Sequence, residues 1–368
     1  MSALATKPPL PLPKAASELT AEWLNLALAE EISAPVTAFS LETIAQGVGF
    51  LGELARVTLD YAAPGAGPRT LIAKLPTGND RNRMIAVYFQ LYQREIGFYQ
   101  EMAEHSVVRV PHCYFAQFDA AEGRFALLLE DLAPLRVGDQ VESCTIELAR
   151  LALRELARHQ ARWWESPELD GFAWLPSVDC DANRGLAPMY AGALPLFLEQ
   201  TAGRLSEPVR DTACRLEHLI LPALTAYTDR PATVVHGDYR LDNLFFSDAG
   251  DELAVIDWQI MSRGPGVFDA AYFLGGSLEP EVRRLSERDL LREYHETLVA
   301  NGVRDYDFAT MWEDYRRSMA FMLYIPVVGV GEVMDLTNER GIALFNAMTD
   351  RYCTAVEDLE AWETLPSV

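Results

Sequence analysis

The sequence predicts an α+β protein of two lobes, a small β-rich lobe followed by a larger, mainly helical one. Three observations predict it. The runs 36–45, 52–61 and 69–76 alternate in polarity or are rich in β-formers, and "PGAG" (64–67) separates the last two as a turn. Two further strand-like runs, "HCYFAQFD" and "RFALLLED", flank a hairpin turn "AAEG" after one long helical stretch, about 82–103. From about residue 146 onward helical spacing dominates, as in "TIELARLALRELARHQARWWE" and "EPVRDTACRLEHLILPALTAY". Only "ATVVHGD" and "ELAVIDW" interrupt it as short strands.

The elements follow in order. Residues 1–19 are Pro-rich and read as a loose N-terminal arm. In "SELTAEWLNLALAE" Thr20 is placed to cap a helix. Three antiparallel strands, the long helix and two more strands then make a β-rich lobe over 20–131. "DLAPLRV" marks the boundary, and 132–368 form the helical lobe.

At 368 residues, 49% hydrophobic, the chain can bury a large core. A net charge of -23 repels phosphate backbones, which excludes nucleic acid as a partner. Five scattered cysteines, with no CxxC pair, read as thiols of a reducing, cytoplasmic setting. No apolar run has the length of a signal peptide or a membrane span, so no membrane partner is expected. There is no GxSxG and no HExxH, and the histidines outside "VVHGDYRLDN" lack ligand spacing. His159, on an amphipathic helix, reads as a satisfied core histidine.

The polar residues that carry chemistry come as an ordered set. "VVHGDYRLDN" places Asp238 and Asn243 on a loop after an apolar strand. Asp257, in "LAVIDWQI", ends another apolar strand 14 residues after Asn243. A hairpin between these strands would bring Asn243 and Asp257 together as hard-oxygen ligands suited to Mg²⁺. Asp238 would then take a proton from an alcohol, the division of labour that phosphoryl transfer requires.

Upstream, Gly47, Gly49 and Gly52 form a GxGxxG before a strand. That context fits either a loop whose backbone N–H groups approach phosphates or an ordinary hairpin turn. Lys74, inside an apolar strand, reaches a phosphate or a carboxylate, or faces outward. Glu95, on the following helix, pairs with Lys74 or lies on a solvated face.

The set resembles the aminoglycoside phosphotransferase and choline kinase-like superfamily, distant relatives of protein kinases. "VVHGDYRLDN" is similar to its HGDxxxxN catalytic loop, and "VIDWQ" to its metal-binding segment. "GPGVFDAAYFL" resembles the segment whose Asp, here Asp269, buttresses that loop. "HGDYRLDNLFF" is similar to kinases fused to acyl-CoA dehydrogenases, whereas "DWQ" and "FDAAYFL" stand closer to the ecdysteroid kinase-like branch.

The resemblance implies a protein kinase-like bilobal fold and an ATP- (or GTP-) dependent, Mg²⁺-requiring transferase. Its acceptor would be the hydroxyl of a small molecule. It further implies Asp238 as the base, Asn243 and Asp257 as metal ligands, and Lys74 on the α/β-phosphates with Glu95 positioning it. Backbone groups near Glu130 and Leu132, in "LLLEDL", would meet the adenine edge. His236 would brace the loop.

Arg240 departs from the His or Lys usual two residues after the base. It clamps the γ-phosphate, or pairs with Asp242, or meets an anionic substrate. Trp312, Tyr315, Phe321 and Tyr324 either line an acceptor pocket or belong to the core. A catalytically inactive, kinase-like ligand-binding protein is the alternative from another class. A dinucleotide-dependent oxidoreductase is a third reading, and it requires a helix to begin at Gly52.

Overall fold

Alternation along the strands builds a five-stranded antiparallel sheet. The computed structural model of the chain describes residues 9–44 and 52–366. They divide into two compact units, one of the described residues up to Glu104 with Pro111–Ala133, the other of His105–Val110 with the described residues from Pro134 onward.

In the first unit α1 (Ala21–Ala27) starts at Thr20, whose Oγ1 accepts from the Trp23 N–H at 3.1 Å. β1 (Val36–Ile44), β2 (Gly52–Tyr61) and β3 (Thr70–Pro76) follow, then α2 (Asp80–Tyr88) and α3 (Leu91–Gly97), then β4 (Cys113–Asp119) and β5 (Arg124–Glu130). The strand order is β1-β2-β3-β5-β4. Ala55, Val57 and Leu59 of β2 and Leu71, Ala73 and Leu75 of β3 share one buried face, as the period of two requires. β5 is buried on both faces. Its Ala126 and Leu128 join that core, while Phe125 meets Tyr92 of α3 at 4.3 Å between ring centroids.

Two features differ from the sequence reading. The long helix over 82–103 is broken, because Gln90 takes a left-handed φ of 57° between α2 and α3, and a π-helical turn, Phe98–Met102, follows. The arm expected to be loose is tied down where it is described. Leu10 exchanges two hydrogen bonds with the Gln117 amide, at 2.7 and 2.9 Å, and Ala16 and Leu19 are buried.

The second unit runs β6 (Arg136–Val137), α4 (Ile146–Trp163), α5 (Asp181–Arg184), α6 (Leu186–Gln200), α7 (Glu207–Tyr227), β7 (Thr233–Val235), β8 (Leu244–Phe246), β9 (Leu253–Val255), β10 (Ser262–Gly264), α8 (Val267–Ser277), α9 (Pro280–Ala300), α10 (Phe308–Phe321), α11 (Tyr324–Val328) and α12 (Glu339–Asp358). β7 pairs with β10, and β8 lies between β6 and β9. Among the described residues no helix is long and apolar enough to cross a membrane, and the five cysteines are free thiols.

Candidate active site

The first unit carries Lys74 and Glu95. β3 sits in the middle of the sheet, with Leu54 and Leu127 as the partners of Lys74. The side chain is 11% exposed and that of Glu95 only 1%. A buried ammonium needs a counter-charge. Lys74 Nζ finds it in both Glu95 oxygens, at 2.8 and 2.7 Å. The pairing expected from sequence is thus present, and the outward-facing and solvated alternatives are excluded. Gly52 opens β2 as a strand opposite Pro76, so no helix begins there and the oxidoreductase reading falls. A Cβ on Gly52 would meet Leu75 O at 3.1 Å and the Lys74 stem at 3.6 Å, so a bare backbone suits this position. Gly47 and Gly49 lie outside the described residues. At the end of β5 the Glu130 N–H donates to His112 O at 2.8 Å. Leu132 is buried just beyond.

In the second unit β7 delivers the chain into the His236–Asn243 loop. Gly237 reverses it with φ +83°, where a Cβ would strike Ile260 O at 2.9 Å. The loop is pinned from below by Asp269, in the first turn of α8 and fully buried. Asp269 Oδ2 accepts from the His236 N–H at 2.8 Å and Oδ1 from the Gly237 N–H at 2.9 Å. Gln160 Nε2 donates to Asp269 Oδ2 at 3.2 Å and to Gly266 O at 2.9 Å. Burial pushes the Asp269 carboxyl up to about 6, against the pull of His236 and these donors.

His236 braces the loop through a fixed tautomer. Its Nε2 faces Ile256 O at 2.9 Å, and the Asp238 N–H faces its Nδ1 at 3.2 Å. A carbonyl only accepts and an amide N–H only donates, so Nε2 carries the proton and Nδ1 does not.

Asp238 is held at both oxygens. Tyr272 Oη donates to Oδ1 at 2.6 Å, and Asn243 Nδ2 donates to Oδ2 and to the backbone oxygen, each at 2.9 Å. Arg240 Nε lies 3.4 Å from Oδ1. Burial pushes the carboxyl up, but the Arg240 charge, the Tyr272 hydroxyl, His236 and Asn243 together hold it below the usual carboxylate range. Its side chain keeps 22% exposure, so one edge remains open.

Arg240 also reaches Asp242 Oδ2 at 3.2 Å, and Arg340 lies 3.5 Å from Asp242 Oδ1. Asp242 is a partner considered from sequence, and Asp238 is one that was not. Burial disfavours the guanidinium, but Asp238 and Asp242 outweigh it, and Arg240 stays charged.

The hairpin expected between Asn243 and Asp257 is formed. Leu244 pairs with Val255, and the Ile256 N–H donates to Asn243 O at 3.0 Å, so Asp257 follows directly beyond the pair. Asp257 takes φ 66°, ψ 59°, a left-handed conformation that few residues other than Gly, Asn and Asp adopt. Its carboxylate accepts from Gln259 Nε2 at 3.1 Å. Because Asn243 Nδ2 is committed to two acceptors on Asp238, the amide presents Oδ1 as its remaining polar atom. An amide oxygen and a carboxylate at the end of one hairpin fit a hard cation that keeps further oxygen ligands.

The sequence reading did not single out Tyr272 or Gln160. Tyr272 stands three residues after Asp269 on α8, one helical turn along the same face, and that spacing was its available signal. His159 is buried but not satisfied as expected. Its Nδ1 lies 3.4 Å from Ser106 Oγ, and Nε2 has no hydrogen-bond partner among the described residues. Of the four aromatic residues considered for an acceptor pocket, Tyr315 and Phe321 are core, and Trp312 is stacked on Tyr315 and covered by Arg288 at 4.6 Å. Tyr324 is half-buried with its ring stacked on Phe268, and it lies close enough to feel the Asp238 charge.

The family model described as "Phosphotransferase enzyme family" matches residues 69–316, which is 248 of the 368 residues. The chain belongs to this phosphotransferase family. Its fold is that of solved family-like structures. The GDP complex of aminoglycoside 2'-phosphotransferase-IIIa has a TM-score of 0.52 at 12% identity, over 91% of this chain and 98% of that one. A Ralstonia eutropha protein provisionally assigned as an aminoglycoside phosphotransferase gives 0.52 at 16% identity, over 94% and 98%. The Plasmodium vivax ethanolamine kinase gives 0.51 at 11%, over 90% and 86%. No curated protein sequence matches this member of the phosphotransferase family.

Proposed function

We propose that this protein is an ATP- (or GTP-) dependent kinase that transfers the γ-phosphate to a hydroxyl group of a small molecule. The observation that carries the reading is the Asp238 carboxylate. It is held ionised and oriented by Tyr272, Asn243 and Arg240, on a loop whose end pairs with the strand leading to Asp257. Membership of the phosphotransferase family and nucleotide-bound structural neighbours support it.

In this reading Asp238 accepts the hydroxyl proton as the alcohol oxygen bonds to phosphorus and the bond to the β-phosphate oxygen breaks, leaving the nucleoside diphosphate. Asn243 Oδ1 and Asp257 hold Mg²⁺, which when bound neutralises phosphate oxygens. Glu95 fixes the Lys74 ammonium for the α/β-phosphates. Gly47, Gly49 and Gly52 give the phosphates a backbone approach, and the segment at Glu130 and Leu132 meets the adenine edge. His236 and Asp269 keep the loop in shape.

The test is a phosphorylation screen of alcohols, sterols, hydroxyacyl-CoA thioesters and aminoglycosides with ATP and GTP, beside a nucleotide thermal-shift assay with and without Mg²⁺. Asp238→Ala should retain the nucleotide shift and lose at least about 10²-fold in transfer rate. Full activity of that variant removes Asp238 as base. Nucleotide binding without a Mg²⁺-dependent shift or transfer would mark an inactive binding protein instead.

A further inference from the structure

Asp238 has three side-chain partners, and they differ in where they come from. Arg240 and Asn243 belong to the same short loop as Asp238. Tyr272 comes from α8, outside the loop. Its ring is 6% exposed, and its backbone oxygen accepts from Tyr352 Oη of α12 at 2.8 Å. The rings of Tyr272 and Tyr352 also meet edge to face at 6.3 Å. The Tyr272 hydroxyl is therefore a fixed point against which the carboxylate is set.

A carboxylate turns about its Cβ–Cγ bond through a broad, roughly two-fold well. A partial turn re-aims the plane of the two oxygens, and with it their lone pairs. Tyr272 is the donor that resists such a turn from outside the loop. We infer that Tyr272 is a positioning residue for Asp238, fixing which carboxylate edge is presented to the phosphate acceptor. The inference rests on the reading of Asp238 as the base. Tyr272 leaves each carboxylate oxygen with lone-pair capacity, since Oδ1 carries the phenol and the distant Arg240 Nε, and Oδ2 carries one amide N–H. The acceptor hydroxyl can bond Asp238 without displacing the phenol, and its approach is narrowed to one edge. Loss of such alignment is a matter of fractions of an ångström, which in an oriented reaction costs on the order of 10- to 100-fold.

The experiment is a double-mutant cycle. Nucleoside diphosphate release from MgATP is followed with the same acceptor panel present, for wild type, Tyr272→Phe, Asp238→Ala and the double variant. Tyr272→Phe keeps the ring and the backbone oxygen that anchors it. It should lower kcat about 10-fold or more with the KM for MgATP unchanged. In the Asp238→Ala background it should change nothing further. Tyr352→Phe removes a hydroxyl bonded to the Tyr272 backbone but keeps the phenol on Asp238, so it should lower kcat less than Tyr272→Phe does. Equal losses from Tyr272→Phe in both backgrounds, a rise in KM without a loss in kcat, or a matching loss in Tyr352→Phe would overturn the inference. An Asp238→Ala variant with full activity would instead overturn the reading on which it stands. As a readout independent of turnover, the ¹³Cζ resonance of Tyr272 should shift on Asp238→Asn. No shift would mean that the contact is absent in solution.

Discussion

His159 is a residue whose burial works against the protein at low pH. It is 2% exposed, and burial together with the nearby His236 pushes its pKa down to about 3. In the unfolded chain an imidazole titrates near 6.5. Below that value the unfolded state binds a proton that the folded state refuses, so stability falls from about pH 6.5 down towards 3. Asp269 has the opposite sign. Its folded pKa is raised to about 6 from an ordinary 3.8, so its contribution is present below 3.8 and is lost as pH rises through 6. On acidification Asp269 therefore gives back stability over a narrower window than the one in which His159 removes it. His159→Leu should flatten the acid loss between pH 6.5 and 3. Urea midpoints measured across that range check it, and parallel curves for variant and wild type would refute it.

The same scale shows what a sequence can disclose. Asp238, Arg240 and Asn243 were legible as a set because their contacts with one another span five residues or fewer. Tyr272 lies 34 residues from Asp238, and Gln160 lies 109 from Asp269. Only a folded chain brings such pairs together.

Among elements, the sheet was readable because period two has one solution when a single face is buried. The α2–α3 segment was not. Its polarity pattern is continuous, but Gln90 breaks it with a conformation that no local propensity demands. The break matters because α3 carries Glu95 to Lys74. This pair makes its own prediction. Glu95 is 1% exposed and is paired there with the Lys74 ammonium. Lys74→Met should destabilise the protein by roughly 3–5 kcal/mol, because one charge stays buried without its partner. The double variant Lys74→Met/Glu95→Leu should recover most of that loss, since an apolar pair of similar volume removes the uncompensated charge. Chemical denaturation of the three proteins decides it, and a double variant less stable than Lys74→Met would contradict the account.

For the whole molecule, the order of strands followed by helices was enough to predict an α+β architecture of two lobes; the kinase-like reading came from the resemblance of the motifs, and solved structures at 11–16% identity share the fold. Charge is the other property that belongs to the whole chain. With 54 acidic and 31 basic residues the net charge is -23, and the excess is spread over a surface of 16625 Å² for the described residues. Two electrostatic terms respond to salt in opposite directions. Surface ion pairs such as Arg150–Glu293 and Arg204–Asp350 weaken, but they are contacts of 2.7 Å, shorter than the screening length throughout, and each contributes about 0–1 kcal/mol. Repulsion among the excess carboxylates acts over tens of ångströms. The screening length falls from ~30 Å at 10 mM salt to ~8 Å at 150 mM, which removes most of that long-range term. Repulsion therefore loses more than attraction does. Raising NaCl from about 10 to about 150 mM should raise the thermal midpoint. Scanning calorimetry at neutral pH, without nucleotide, checks it. A midpoint that falls with salt would mean that the paired surface charges outweigh the net excess.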